Sequence, residues 1–358
     1  MSGLTGLATR LIGELGDELS QLSLSGPRTN AAVRTMLSGV LSLLVALWLN
    51  LDDPWWAAIT GFSIVQQNAA ATLLRSIDRA LGTIVGALIG YFAAGLATDH
   101  LLFQLICGGC AAFGIYGQER AEHGYAILLG AVTVILVMFG SIVQPAMALH
   151  LATYRALAIL VGVGVACVVD SILAEPGIIA QGAAAKPGVW TSPIDRELLV
   201  VAVSGGVAIA MIPIIWETLQ LPGLGQTPIT AFVIMTAMRH EPAWKAATRA
   251  FGCLLGGLYG LLAMSWIGDA FLPWLLFLAA GLFVCGHIYR GSGDASYVGQ
   301  QAGVAIMLAM IQGAAPSSDI MPAIDRMVGV LGGILVVAAC HPMLAPVVRR
   351  LIGPAPET

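Results

Sequence analysis

The chain has 358 residues, of which 58% are hydrophobic and only 10% charged, and its formal net charge is −4. An ordinary soluble domain carries about 25% charged residues and must turn its outside to water, so a cytosolic enzyme and a disordered chain are excluded. The negative balance leaves no basic field for a nucleic acid, and a mean hydropathy of +0.87 leaves a polytopic membrane protein.

In chain order, Leu4, Leu7, Leu11, Leu15, Leu19 and Leu22 recur at helical spacing, with Arg10, Glu14, Asp17 and Glu18 between them. This pattern predicts an amphipathic helix on the inner membrane surface within residues 1–27. Its acidic residues, and a first apolar run that starts near residue 31, argue against a cleavable signal peptide. A spanning helix needs about 20 apolar residues. Apolar runs at 31–50, 54–68, 78–98, 101–117, 124–142 and 149–173 predict six helices, and runs at 197–217, 226–238, 246–267, 271–289, 296–313 and 320–343 predict six more. The runs are continuous rather than alternating, which excludes a β-barrel. Segments 54–68 and 226–238 are short; the first rises about 22 Å as a helix, against an apolar core of about 30 Å.

The placement of Lys and Arg decides whether the short segments cross. With twelve crossings, one side holds Arg10, Arg28, Arg34, Arg75, Arg79, Arg120, Lys186, Arg196, Arg239, Lys245, Arg249, Arg290, Arg349 and Arg350, leaving only Arg155 and Arg326 opposite, with Asp52, Asp53, Asp99, Glu217, Asp269 and Asp319. The expectation is therefore a multi-pass membrane protein with twelve crossings and both termini cytoplasmic, a linker at 175–195 and a tail at 346–358.

An internal repeat organises these segments. Arg79-Ala-Leu-Gly82-Thr-Ile-Val-Gly86-Ala-Leu-Ile-Gly90 matches Arg249-Ala-Phe-Gly252-Cys-Leu-Leu-Gly256-Gly-Leu-Tyr-Gly260, and Ile59-Thr60-x-Phe62-x-Ile64 matches Ile229-Thr230-x-Phe232-x-Ile234. Arg75 pairs with Lys245, Tyr125 with Tyr297 and Arg155 with Arg326. Two six-helix units, 28–174 and 196–345, follow. Six is even, so both share one orientation and relate by a pseudo-two-fold axis along the membrane normal.

Candidate site residues come from polar groups in apolar surroundings. The glycine stripes let a neighbouring backbone approach. Arg79 and Arg249 continue them, either as lipid-phosphate anchors or as an anion vestibule. Arg155 and Arg326 lie about six residues inside their predicted helices. Burial there costs a few kcal/mol or more unless the guanidinium snorkels or finds a partner. A substrate carboxylate, an inter-helix salt bridge or freed carbonyls near Pro145 and Pro322 are the open partners. Trp55 and Trp56 follow Pro54 at a helix start, and Gln66, Gln67 and Asn68 end the same short segment. Gln300 and Gln301 follow Tyr297. These amides read either as pore-lining groups or as inter-helix hydrogen bonds. Asp78, Asp170, Glu217, His287 and His341 are the candidates for proton coupling; most fall near helix ends, where a solvated position is expected. The six cysteines lie in apolar runs as small hydrophobes. The histidines form no ligand pattern, so no metal, cofactor or enzymatic activity is expected.

At Pro54-Trp55-Trp56-Ala57, Gln66, Arg79-x-x-Gly82-Thr83-x-x-Gly86-x-x-x-Gly90, Tyr125 and Arg155, the sequence resembles the fusaric acid resistance (FUSC) family, to which the aromatic acid exporters belong. The resemblance covers roughly residues 28–345. The second unit matches less closely: it lacks the Pro-Trp, and Gly-Thr becomes Gly252-Cys253. The resemblance implies export of small aromatic or other organic anions across a bacterial inner membrane, with a periplasmic adaptor protein as partner. Plant malate channels look distantly similar, with one such six-helix unit per subunit. The sequence therefore predicts a secondary transporter for small organic anions, monomeric or homodimeric. A passive anion channel and a non-transporting envelope-assembly protein are the alternatives.

Overall fold

The computed structural model describes residues 2–97, 99–143, 145–174, 193–221, 224–267, 270–313 and 320–352. The chain is all helical among these residues: α1 (Ser2–Ser20), α2 (Pro27–Trp48), α3 (Trp55–Ile64), α4 (Ala69–Leu96), α5 (His100–Arg120), α6 (Gly124–Val143), α7 (Ala148–Leu173), α8 (Arg196–Leu219), α9 (Thr227–Thr236), α10 (Pro242–Ile267), α11 (Phe271–Tyr289), α12 (Ser296–Met310) and α13 (Met321–Ile352). Nine of the described helices are long and apolar enough to cross a membrane. The two short segments appear as ten-residue helices, α3 and α9, each rising only about 15 Å; α12, with 15 residues, also falls below spanning length. Most of the predicted linker, with Lys186, and also Asp269, Asp319 and residues 353–358, lie outside the described residues.

The helix start furthest from expectation is that of α4, which begins nine residues before the apolar run at 78–98, because Asn68 Oδ1 accepts the Ala71 N–H (2.9 Å) and caps it. The added turns carry Thr72 and Arg75, which dilute their hydropathy.

The chain divides into two compact units: residues 1–77, 157–179 and 243–327, and residues 78–156, 180–242 and 328–358. Neither coincides with a sequence repeat. The first unit takes α2 and α3 from the first repeat and α10, α11 and α12 from the second; the second unit takes α8 and α9 with most of α4, α5 and α6. In the first, α2 packs on α11 and α3 on α12; in the second, α8 packs on α5 and α9 on α6. These are the same pairings in the register of the repeat.

Residue contacts follow that register. A Cβ on Gly82, Gly86 or Gly90 would meet Ala126, Gly130 or Val137; on Gly252, Gly256 or Gly260 it would meet Val298, Ala302 or Ala309. Backbone approach of this closeness needs glycine. Gly162 lies against Ala57 and Thr60, and Gly333 against Thr227 and Thr230. Phe62 and Phe232 are fully buried in their respective units.

The amphipathic α1 docks onto protein. Leu11 and Leu15 are buried, Leu15 packing with Ile288, Ala295 and Val298. Arg10 pairs with Asp294 at 2.5 Å and lies over the Trp244 ring. Glu18 is buried, accepts the Gly293 N–H (2.9 Å) and pairs with Arg28.

Candidate functional site

The glycine packing of α4 on α6 sets up the site of the second unit. Gly82 sits on Ala126; one turn earlier on α4, Arg79 donates to the hydroxyl of the adjacent Tyr125 at 2.9 Å. Arg155, the eighth residue of α7, donates through Nε to Thr133 Oγ1 at 3.3 Å. Both arginines are buried, at 7% exposure each, and Arg155 lies within the electrostatic reach of Arg79.

The first unit builds the same constellation from the second repeat. Gly252 sits on Val298, and Arg249 donates to the Tyr297 hydroxyl at 3.1 Å. Arg326, the sixth residue of α13, joins it. Gln301 Oε1 accepts from both Arg249 (3.0 Å) and Arg326 (3.2 Å). Lys245 Nζ lies 3.2 Å from the centre of the Tyr297 ring. Arg249 and Arg326 are 4% and 6% exposed. Two guanidinium groups on one neutral oxygen, away from water, repel each other, and an anion beside them relieves that repulsion.

The sequence-derived candidates thus fall into separate groups. Arg79, Tyr125 and Arg155 converge in one unit, and Arg249, Tyr297 and Arg326 in the other. Gln301, rather than its neighbour Gln300, bonds the arginines; it lies four residues after Tyr297 and shares its helix face. Trp55 and Trp56 lie side by side at the start of α3, their rings tilted by 34° with centroids 4.2 Å apart, and Trp55 Nε1 donates to Asp53. They pack against the apolar interior of their unit. Gln66, Gln67 and Asn68 follow the opposite end of α3. Gln66 Nε2 donates to the carbonyls of Ile64 and Val65, and Asn68 is the α4 cap, so backbone engages these two amides.

A third polar constellation was not singled out from the sequence. Arg34 and Asp170, both buried, pair at 3.0 Å. Asp170 also accepts from Thr72 Oγ1 at 2.5 Å. Arg34 completes its bonding on Asn30 Oδ1 and the carbonyls of Gln66 and Gln67. The solvated position expected for Asp170 is therefore corrected: it is fully buried, as is His287. Asp78 instead pairs with the exposed His123, and Glu217 is exposed. The signal was present in two charges inside apolar runs. In the repeat register Arg34 corresponds to Ser204 and Asp170 to His341, and those two also touch, at 3.0 Å.

A profile of the fusaric acid resistance protein family matches residues 30–191, and a profile of fusaric acid resistance protein-like sequences matches residues 200–340. The p-hydroxybenzoic acid efflux pump subunit AaeB of Edwardsiella ictaluri (strain 93-146) is 29% identical over 165 residues, covering 42% of this chain and 25% of that protein. The uncharacterized transporter YdhK of Escherichia coli (strain K12) is 39% identical over 71 residues, covering 20% of this chain and 10% of that protein. The uncharacterized transporter GOX0755 of Gluconobacter oxydans (strain 621H) is 31% identical over 88 residues, or 24% and 12% respectively. The matched part spans a quarter or less of each of these relatives. No solved structure matches.

Proposed function

The chain belongs to the fusaric acid resistance protein family, and from that premise we propose that it exports small organic anions, aromatic carboxylates above all, across a bacterial inner membrane. The observation that carries this reading is the pair of buried arginines beside a tyrosine hydroxyl, present once in each unit. A planar carboxylate is the ligand a guanidinium fork binds best, and a buried cation within a membrane span is costly unless it serves a purpose. Arg155 and Arg326, with Arg79 and Arg249, are the proposed carboxylate ligands. Gln301 orients the pair of the first unit. The relatives named as p-hydroxybenzoic acid efflux pump subunits support this substrate class, and the word subunit in that name fits a partner protein, which we propose to be a periplasmic adaptor.

The recurrence of contacts at a nearly constant offset supports two six-helix repeats, 28–174 and 196–345, related by an axis along the membrane normal. The cation distribution supports cytoplasmic termini. An inside-negative potential of 100 mV then drives a monovalent anion outward by about 2.3 kcal/mol.

The test uses the full chain in proteoliposomes loaded with 4-hydroxybenzoate. Saturable efflux is expected, falling about tenfold or more in Arg155→Gln and in Arg326→Gln with thermal stability retained. Undiminished efflux in both variants sinks the arginine assignment. Steady current without saturation marks a channel, and no flux of any carboxylate favours a role in envelope assembly.

A further inference from the structure

Away from the paired arginines, charged groups of the first unit converge where the start of α2, the start of α4 and the ends of α7 and α11 come together. Arg290, immediately after α11, lies within electrostatic reach of Arg34, Arg75 and Asp170. These four side chains sum to +2. The Arg290 guanidinium is held in place: its Nε donates to Thr35 Oγ1 at 3.1 Å, and its plane lies over the Tyr289 ring at 4.3 Å. Its Nη2 is buried and has no hydrogen-bond partner among the described residues.

The neighbouring acceptors are already engaged. One oxygen of Asp170 is taken by Arg34 and the other by Thr72. The carbonyls of Gln66 and Gln67 accept from Arg34, and that of Ser63 accepts from the Tyr289 hydroxyl at 3.3 Å. A buried guanidinium nitrogen left unbonded forfeits more than an ordinary hydrogen bond is worth. An acceptor from outside the protein satisfies the unbonded nitrogen of Arg290.

We propose that this cluster is a second anion site, binding the carboxylate of a small organic acid at Arg290 Nη2 in the field of Arg34 and Arg75. Asp170 acts there as an internal competitor, holding Arg34 in the ligand-free protein. The second unit lacks this chemistry where the repeat would place the Arg34–Asp170 pair: Ser204 and His341 stand there and bond each other. Arg120 stands at the register position of Arg290, so among the described residues it is the Arg34–Asp170 pair that has no counterpart in the other repeat, whereas the paired-arginine constellation occurs in both. A planar carboxylate suits a fixed planar fork better than a spherical halide does.

Equilibrium dialysis of the purified full chain with radiolabelled benzoate tests this, in an Arg155→Gln/Arg326→Gln background that disables the sites of the proposed function. Benzoate binding that persists in that background, falls about tenfold or more in Arg290→Gln and is not displaced by equimolar chloride is expected. Asp170→Asn in the same background tightens binding about tenfold, a gain that misfolding cannot imitate. Binding in the background that ignores both Arg290→Gln and Asp170→Asn overturns the site, as does its complete absence there. Equal displacement by chloride overturns the carboxylate assignment. Because the background lacks Arg155 and Arg326, each of these outcomes is separate from failure of the exporter reading, which is judged on flux through the native chain.

Discussion

The two units share a frame and differ in what the frame holds. Each has a glycine-packed helix pair, an arginine on a tyrosine hydroxyl and a second buried arginine nearby. At other positions in the same register the chemistry parts. Arg34–Asp170 stands against Ser204–His341, and Gln301, which binds two arginines, against Leu129. Ala46 stands against Trp216, which fills the space beside Gly332. Shared features are those that bring backbones together and place a cation; divergent ones decide how that cation is neutralised. The two units thus agree in packing and differ in the polar interior, most sharply between Arg34–Asp170 and Ser204–His341.

The largest expected effect tests that contrast directly. Asp170→Ala leaves Arg34 buried beside Thr72 without its carboxylate and is expected to cost about 3–5 kcal/mol. His341→Ala removes a neutral hydrogen bond to Ser204, which also bonds the Val201 carbonyl (3.1 Å), and is expected to cost about 1 kcal/mol. Denaturant titration in mixed micelles compares the two. Replacing both partners with leucine, Arg34→Leu with Asp170→Leu, should recover most of the loss, since a desolvated ion pair is close to break-even against apolar packing. Equal costs for Asp170→Ala and His341→Ala would erase the distinction between the units.

Much of the frame was legible in the sequence, and the reason is physical. Gly82, Gly86 and Gly90 mark a close approach whatever lies opposite, since only glycine permits it, and matched Arg79 and Arg249 stand out in apolar runs. What lies opposite was not legible. That Tyr125 meets Arg79, or that Gln301 rather than Gln300 meets Arg326, depends on helix rotation and on partners 25 or more residues away. Asp170 was misplaced because its run ends there and hydropathy reads an end as solvent; the burial comes from Arg34 and Thr72, which the sequence keeps 136 and 98 residues distant. The exchange of helices between the repeats left no local trace, because each helix has the same apolar face whichever partner covers it.

An intermediate effect tests the shared frame. Gly86→Ala and Gly256→Ala each drive a methyl into backbone, that of Gly130 and of Ala302 respectively, and each should cost about 2 kcal/mol. Gly257, next to Gly256, has nothing within 4 Å of an added Cβ. Gly257→Ala should therefore be neutral or slightly stabilising, through helix propensity alone. A marked difference between Gly86→Ala and Gly256→Ala would show that the equivalence of the units stops short of their packing.

The smallest effect concerns how the corresponding helices α2 and α8 begin. α2 starts from Gly26, at φ 106° and with no side-chain cap, whereas α8 starts from Asp195, whose carboxylate accepts the Leu198 N–H at 3.0 Å and pairs with Arg239 at 2.8 Å. The Leu198 N–H, followed by the Arg239 contact, holds the Asp195 carboxyl below its ordinary value of 3.8. A depressed carboxylate contributes stability above its unfolded-state value and loses it as the pH falls through the folded-state value. Asp195→Ala should therefore cost about 1 kcal/mol at pH 7, and the gap from the native chain should close only below about pH 4. Raised salt should trim the Arg239 share and leave the cap, because the exposed pair is screened while a hydrogen bond to backbone is not. A gap that is flat from pH 7 to pH 3 would assign the effect to packing at the helix start and remove the charge from this difference between the units.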